Sequence, residues 1–344
     1  MSREKFKLYF HCGAGKTGTS SIQNALRLGR DELKKHNVQY WGLMLEFAPV
    51  KKYDWQVASE SKRFLKLNVV EALVQVEEVV RESIAIAVKE GVEAAVWSNE
   101  LFFGRHDTVL GALKKMEREG LSIDVIMYLR RHDAWAKSAY VQWGIKHKTY
   151  SGKVKTFKEY IKERPVRFFD SVKPWVDAFD RNFYLCNFDE IQDVVSHFLS
   201  IISMDGKVRS CRVNETPTPE ELVLRKLFND RVAGEAMPSR FDQLVGSRTI
   251  DAGLDIANII DELMPTSDDL EMVSVDSKED RRLVNEVLEK FNQKPLKSDR
   301  LIVQNAEFSH EMMLGYLAQI VINQGVKIES LQKQLQDLAG KNKS

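Results

Sequence analysis

The chain has 344 residues, a formal net charge of +1 and 43% apolar residues. That composition is enough for one large or two moderate domains with a substantial core, and the near-neutral charge provides no overall field to recruit nucleic acid or a membrane surface. The three cysteines, Cys12, Cys186 and Cys211, form no close pairs, so neither a disulfide framework nor a zinc site is indicated. No apolar stretch is long enough for a signal peptide or a membrane span, so we expect a cytoplasmic protein.

Apolar runs and helical periodicities alternate along the first two thirds of the chain. Strands are predicted at residues 7–11, 38–41, 92–97, 124–129 and 182–188. Helices are predicted at residues 20–36, 67–89, 109–119, 133–145 and 189–202. This alternation predicts an α/β fold with a parallel sheet and helices on both faces, and such folds bind ligands at the carboxyl ends of their strands.

The pattern changes near residue 216 to short helices and loops, and the chain ends in an amphipathic helix with a heptad seam. The seam residues are Leu314, Leu317, Val321, Gln324, Ile328, Leu331, Leu335 and Leu338. Apolar spacings of three and four are typical of a coiled coil, so we expect a homo-oligomer through residues 308–338. Packing of this helix onto its own chain is the alternative. The predicted organisation is a core at 1–215, a helical extension at 216–305 and a coiled-coil-like tail at 306–344.

Residues 12–18, here named the anion loop, lie between the first strand and the first helix. The candidate anion-binding residues in and just after this loop are Gly13, Gly15, Lys16, Thr17, Gly18, Thr19 and Ser20. Glycines let successive backbone N–H groups converge on phosphate-like oxygens. The start of the helix adds unpaired amides and a positive dipole end, and Lys16 adds a full charge. The segment predicts a site for a phosphate or sulfate group.

The anion loop is shorter than the P-loop that binds nucleoside triphosphates, whose first glycine would stand at position 10, where this chain has Phe10. A triphosphate enzyme also needs an acid for magnesium. The strands ending at 97 and 129 are followed by Ser-Asn-Glu and Arg-Arg, with no aspartate at either tip. We therefore expect a P-loop-type sheet that holds a less highly charged group, such as a sulfuryl group, without a metal ion.

Arg130 and Ser138 form a second candidate anion site. Arg130 directly follows a predicted strand, and Ser138 stands eight residues later in the next predicted helix. The planar guanidinium matches a phosphate group with two hydrogen bonds and keeps its charge, and the serine hydroxyl supplies one more donor. An arginine in an ordinary surface ion pair is the alternative.

These segments resemble the sulfotransferases that use 3′-phosphoadenosine 5′-phosphosulfate (PAPS). Residues 16–23, Lys-Thr-Gly-Thr-Ser-Ser-Ile-Gln, resemble the 5′-phosphosulfate loop of that family, particularly in its bacterial glycan and polysaccharide members. Residues 125–140 resemble its 3′-phosphate motif, and residues 212–215 more weakly resemble a later nucleotide-side segment, which adds Arg212. The resemblance implies that residues 1–215 bind PAPS as donor and its product PAP, without a metal, and that the acceptor is a glycan.

The resemblance implies in-line transfer of a sulfuryl group to an acceptor hydroxyl or amine. Lys16 and the loop amides would stabilise charge on the sulfuryl and leaving-group oxygens. Glu100, just past a predicted strand, is our candidate for the general base. Its rivals are Glu46, Asp54 and His106. A P-loop small-molecule kinase and a non-catalytic nucleotide-cleft protein that assembles through its C-terminal helix are the alternative functions.

Two further groups of residues leave two interpretations open. The aromatic residues after the first helix fit either a platform for sugar rings or the core; they are Tyr40, Trp41, Phe47, Tyr53 and Trp55. A basic segment after Ser138 fits either a solvated face or a ligand contact; it contains Lys146, His147, Lys148, Lys153, Lys155 and Lys158.

Overall fold

The computed structural model describes residues 6–208, 218–230, 232–239, 241 and 263–303, together with a set of positions between 309 and 334. The predicted site residue Arg212 and the seam residues Val321, Leu335 and Leu338 lie outside the described residues.

Within the described residues, five parallel strands form one sheet in the order β2-β3-β1-β4-β5. The strands are β1 Lys7–His11, β2 Val38–Tyr40, β3 Ala94–Ser98, β4 Ser122–Leu129 and β5 Phe183–Asn187. Central β1 pairs with β3, where His11 lies beside Ser98, and with β4, where His11 lies beside Ile126. The predicted α/β fold with a parallel sheet and helices on both faces is confirmed.

The described helices, numbered in chain order, connect these strands and continue beyond them. They are α1 Thr19–Leu28, α2 Arg30–Lys35, α3 Ser61–Phe64, α4 Val69–Lys89, α5 Leu101–Gly104, α6 Leu110–Arg118, α7 His132–Ala139, α8 Phe157–Glu163, α9 Phe169–Phe179, α10 Val194–Ile201, α11 Pro219–Asp230, α12 Ser267–Asp276 and α13 Lys278–Lys290. A π-helical segment, Tyr140–Lys146, directly follows α7.

Helices cover both faces of the sheet because the strands are apolar on both sides. On one face, α1, α2 and α10 pack over Tyr9, Val96 and Tyr128. On the other face, α4, α6 and α9 pack against one another, and Phe10 contacts Trp97 and Trp175 at ring-centroid distances of 4.9 and 5.2 Å. Successive residues of β1 therefore anchor opposite layers.

Three predicted helices differ from the observed ones at identifiable residues. The helix predicted at 20–36 is interrupted at Gly29, where a side chain would meet the Ala25 carbonyl oxygen at 2.9 Å. The helix predicted at 189–202 begins only at Val194, because the Asp193 carboxylate accepts the first amides of that helix. The helix predicted at 133–145 leaves α geometry after Ala139.

The chain divides into two compact units, each built from separate stretches. The first unit consists of Met1–Trp135, Val166–Glu215 and Ser274–Asp299. It contains the whole sheet, and α13 closes it from the far end of the chain by packing on α9 and β5. The Asp280 carboxylate of α13 accepts hydrogen bonds from the amides of Phe168 and Phe169 and pairs with the buried His132 ring at 2.7 Å.

The second unit consists of Ala136–Pro165, Thr216–Val273 and Arg300–Ser344. Its described core includes Val223 and Leu224 of α11 and Met313 from the start of the tail. Further along the tail, Ile328 and Leu331 are exposed. Among the described residues, no helix is both long and apolar enough to cross a membrane.

Candidate functional site

The candidate site lies at the carboxyl ends of three neighbouring strands of the first unit, β3, β1 and β4. The chain leaves β1 toward β2 on one side of the sheet and leaves β4 toward β5 on the other. A crevice forms in parallel sheets at such a switch in direction, and ligands bind there. The anion loop follows β1 and Arg130 follows β4, so both candidate anion sites flank this switch point.

The anion loop continues along β4 before it turns away. The amides of Cys12 and Ala14 donate to the carbonyl oxygens of Ile126 and Tyr128, each at 3.1 Å. A side chain at Gly13 would stand 2.6 Å from the Tyr128 backbone nitrogen, so only glycine fits between these hydrogen bonds.

Two residues with left-handed backbone conformations direct the chain from the anion loop into α1. Lys16 has φ +67° and Gly18 has φ +80°, and Gly18 is the residue that precedes the first helical turn. No acidic residue occupies that turn. No carboxylate of the first turn therefore neutralises the positive end of α1, which favours an anion there.

The three predicted hydroxyl donors lie in different surroundings. The fully buried Thr17 donates its hydroxyl to the Ala14 carbonyl oxygen at 2.5 Å, so it closes the loop on itself. Ser20 is exposed. Thr19 is buried, and its hydroxyl oxygen has no hydrogen-bond partner among the described residues. A buried hydroxyl without a partner carries a free-energy penalty that a ligand can remove.

Trp135 connects the anion loop to the segment after β4. Its indole nitrogen donates to the Gly15 carbonyl oxygen at 2.6 Å, and its ring packs against Phe168. The loop is therefore held to the first turn of α7, five residues beyond Arg130.

Arg130 lies against the turn that follows β5. Its Nε is 3.5 Å from an Asp189 carboxylate oxygen, and its guanidinium carbon is 5.5 Å from the centre of the Phe188 ring. The neighbouring Arg131 is buried, pairs with Asp133 through two hydrogen bonds and contacts Asp299. The second arginine therefore stabilises the fold, which leaves Arg130 as the arginine available to a ligand.

The other two predicted donors of this group stay predictions. Ser138 lies half-buried in α7, in the part of that helix that belongs to the second unit. Arg212 lies outside the described residues.

Glu100 follows β3 and contacts α1. Its carboxylate accepts a hydrogen bond from the Gln23 amide at 2.8 Å, and the same amide nitrogen is 3.3 Å from the Ser98 carbonyl oxygen. Gln23 stands one helical turn beyond Thr19, so Glu100 lies on the same side of α1 as the unpartnered hydroxyl. The structure thus brings Glu100, the anion loop and Arg130 to the ends of adjacent strands.

Glu46 and Asp54, two of the three rival bases, are already engaged. The Glu46 carboxylate accepts from the amides of Leu43 and Met44 at 3.1 and 2.7 Å. Asp54 is exposed and pairs with Arg63. His106 begins a short 3₁₀ helix after α5 and stays a rival, since its buried Nδ1 has no hydrogen-bond partner among the described residues. Among the described residues, no group of three or more His, Cys, Asp or Glu side chains could hold a metal ion; metal independence stays a prediction.

A buried histidine lies beneath the site. The His11 ring is fully buried and its Nδ1 is 2.8 Å from the Ser98 hydroxyl oxygen. Burial lowers the pKa of His11 from its ordinary value of 6.5 to about 3. The ring is therefore neutral at physiological pH and links the ends of β1 and β3 without adding charge.

The structure favours one interpretation for several of the aromatic residues and for several residues of the basic segment. Tyr40, Trp41 and Trp55 are at most 3% exposed, so they are core residues and provide no platform for sugars. In the basic segment, Lys148 is fully buried and its ammonium donates to the carbonyl oxygens of Gly152, Asn229 and Val232.

Other members of the basic segment form ion pairs within the second unit. The pairs are His147–Glu235, Lys155–Glu163 and Lys158–Asp269. These pairs favour the structural interpretation of the segment.

Sequence reasoning missed Trp135, Asp189 and Gln23 as parts of the site. The sequence contains a signal for Asp189, because this residue follows the strand next to β4 and parallel strands end at the same edge of a sheet. It also contains a signal for Gln23, which lies four residues after Thr19 and so on the same face of the helix. Trp135 offered none, because its contact with Gly15 spans 120 residues.

No family model and no curated protein matches the chain. Among solved structures, it is similar to a retinol dehydratase in a complex with retinol and PAP, with 14% sequence identity and a TM-score of 0.32. The alignment covers 82% of this chain and 81% of the dehydratase chain. A likeness this distant carries no weight for function, which depends on the site itself.

Proposed function

We propose that this protein transfers a sulfuryl group from PAPS to an acceptor hydroxyl or amine. One observation carries the proposal: the lysine-bearing anion loop and Arg130 follow the adjacent strands β1 and β4, at the switch point of the sheet. A donor with a 5′-phosphosulfate and a 3′-phosphate needs two separate anion contacts, and the sequences of both segments resemble those of PAPS-dependent sulfotransferases.

In the proposed reaction, the acceptor oxygen or nitrogen attacks sulfur while the bond from sulfur to the bridging phosphate oxygen breaks. Lys16 and the first amides of α1 stabilise negative charge on the sulfuryl and bridging oxygens. Glu100 takes the proton that the acceptor loses. Its hydrogen bond from Gln23 orients the carboxylate and leaves its other oxygen for that proton.

The donor class is tested first by calorimetry with adenosine 3′,5′-bisphosphate and with adenosine 5′-monophosphate. We expect the bisphosphate to bind at least tenfold more tightly, because only it engages Arg130. Failure of both nucleotides to bind would favour a non-catalytic protein and contradict the proposal.

Turnover distinguishes sulfuryl transfer from phosphoryl transfer. We expect labelled PAPS to modify an acceptor at the same rate with and without a chelator. ATP turnover that stops when the chelator removes magnesium would instead identify a kinase.

The proposed acceptor is a carbohydrate or polysaccharide, on the resemblance of the anion loop to bacterial glycan sulfotransferases. The buried aromatic residues add nothing to this choice. A screen of PAPS-dependent labelling over glycans, lipids and small alcohols tests it, and labelling of lipids alone would contradict it. A cytoplasmic location, proposed from the sequence, is tested by cell fractionation.

We further propose that residues 308–338 pair with a second copy of the chain. The exposure of Leu314, Ile328 and Leu331, at 67%, 55% and 50%, supports this proposal, because all three belong to the heptad seam. We expect a chain truncated after residue 304 to sediment as a monomer and the full chain as an oligomer. Equal masses would remove the idea.

A further inference from the structure

The turn after β5 touches both candidate anion sites. Phe188 and Asp189 belong to the 3₁₀ turn Phe188–Glu190 of the first unit. A Phe188 ring carbon lies 3.4 Å from the point where a side chain at Gly18 would begin, and the same ring lies beside the Arg130 guanidinium. This turn is therefore placed to set the geometry of Arg130 relative to the anion loop.

We propose that Asp189 is a positioning residue that orients Arg130 toward the 3′-phosphate of the donor, a role that rests on the function proposed above. One oxygen of its carboxylate accepts from the Arg131 amide at 2.6 Å. The other lies 3.5 Å from Arg130 Nε, an ion-pair distance at which Nε, buried in the protein, forms no hydrogen bond with the described residues. Asp189 thus holds the main chain just after β4 and places a negative charge beside the Arg130 guanidinium.

The position of Asp189 beside Nε favours one edge of the guanidinium for a ligand. An arginine can present either its Nε side or the end that carries its two terminal nitrogens. Because Asp189 lies at the Nε side, the two terminal nitrogens are left to form paired hydrogen bonds with a phosphate. The Phe188 ring supports one face of the same group through a cation–π contact.

Hydrogen bonds hold the turn in its place beside Arg130. The Asp189 amide donates to the Asn187 side-chain oxygen at 3.1 Å, and the Asn187 amide group donates to the carbonyl oxygens of Lys294 and Pro295 at 2.9 and 3.2 Å. Asn187 is 1% exposed. The Arg131 guanidinium forms its hydrogen bonds with Asp133 and Asp299, so the Asp189 carboxylate is the acid that lies beside the Arg130 guanidinium.

The test is Asp189→Asn, which keeps an oxygen acceptor for the Arg131 amide but removes the charge beside Arg130. We expect binding of adenosine 3′,5′-bisphosphate to weaken roughly tenfold, since a charge-assisted contact is lost. Binding of adenosine 5′-monophosphate should change less than twofold, because that ligand has no 3′-phosphate. Asp189→Asn should also have no effect in an Arg130→Ala background, whereas a general structural defect would persist there.

Glu190→Gln is the matched control, since it makes the same change in net charge in the same turn. Its carboxylate pairs with Lys294 and Lys297 on the surface, so we expect bisphosphate affinity to stay within twofold of the wild type. Melting temperatures of all variants, without ligand, report any general loss of folding.

Three outcomes would overturn the inference while leaving the proposed function intact. They are unchanged bisphosphate affinity in Asp189→Asn, tighter binding that marks Asp189 as a competitor for Arg130, and an equal loss for both nucleotides. If the wild-type protein itself fails to prefer the bisphosphate, the proposed function fails and the role of Asp189 fails with it.

Discussion

Two loops leave the carboxyl edge of the sheet after β1 and β2, on either side of β3, and they use their polar groups in opposite ways. The β2 loop, residues 41–57, has left-handed residues at Gly42 and Leu45, as the anion loop has at Lys16 and Gly18. In the β2 loop, Glu46 and Lys51 bind backbone groups of the same loop.

Beside the anion loop, by contrast, the buried Thr19 hydroxyl has no partner among the described residues. The β2 loop uses its charged groups to stabilise an unusual backbone. The anion loop combines a similar backbone with a polar group that the fold does not satisfy, which is a feature of binding sites.

The largest expected effect separates the two loop lysines. We expect Lys16→Met to lower kcat on the order of 10²–10³-fold, because its charge acts on the reacting group. Lys51 donates to the carbonyl oxygens of Leu45 and Ala48, so Lys51→Met should cost about 1–2 kcal/mol of folding stability and spare kcat. Equal losses of turnover in the two variants would contradict the comparison.

The carboxylates of Glu100, which follows β3, and Glu46, in the β2 loop, should differ in the same way. We expect Glu100→Gln to lower kcat by roughly 10²-fold while its affinity for adenosine 3′,5′-bisphosphate is unchanged, as for loss of a general base. Glu46→Gln should lower the free energy of unfolding by about 1 kcal/mol, because it weakens the caps on Leu43 and Met44. If Glu46→Gln loses turnover and Glu100→Gln keeps it, Glu46 and not Glu100 is the general base.

His11, at the end of the strand that precedes the anion loop, should give the stability a pH dependence. The unfolded chain protonates His11 below its ordinary pKa of 6.5, but the folded protein does so only near its lowered pKa of about 3. Acidification between these values therefore favours the unfolded state, by up to about 1.4 kcal/mol per pH unit.

We expect His11→Asn, which keeps a polar group near Ser98, to lose less free energy of unfolding than the wild type between pH 7.5 and pH 5. Denaturant titrations at the two pH values measure the difference. Equal pH dependence in the two proteins would show that His11 is not the group responsible.

The smallest expected effect concerns Thr19. We expect Thr19→Val to weaken binding of the bisphosphate about fivefold and to leave the melting temperature equal or higher, because an unsatisfied buried hydroxyl is removed. A lower melting temperature with unchanged affinity would indicate that the hydroxyl serves the fold.

The sequence predicted the sheet well because the strands are short apolar runs, and β1 matches its predicted bounds, Lys7–His11. Breaks inside helices were harder to predict, because they depend on contacts between distant residues. Gly29, for example, ends α1 where a side chain would also meet Val208 at 2.5 Å.

Within the site, the sequence alone could identify Lys16 and Arg130, because their chemistry follows from the residue type. Their supporting residues depend on tertiary contact. Asp189 reaches Arg130 only because β5 lies beside β4, and Trp135 reaches Gly15 only after the sheet has formed.

The position of α13 in the chain limits which parts of this protein can be exchanged in a chimera. It comes from the last quarter of the chain, yet its Asp280 accepts the amides of Phe168 and Phe169 and pairs with His132. A chimera that inherited only residues 1–215 would lack that carboxylate and leave these buried donors unsatisfied. A chimera must therefore carry both stretches together to keep these buried hydrogen bonds.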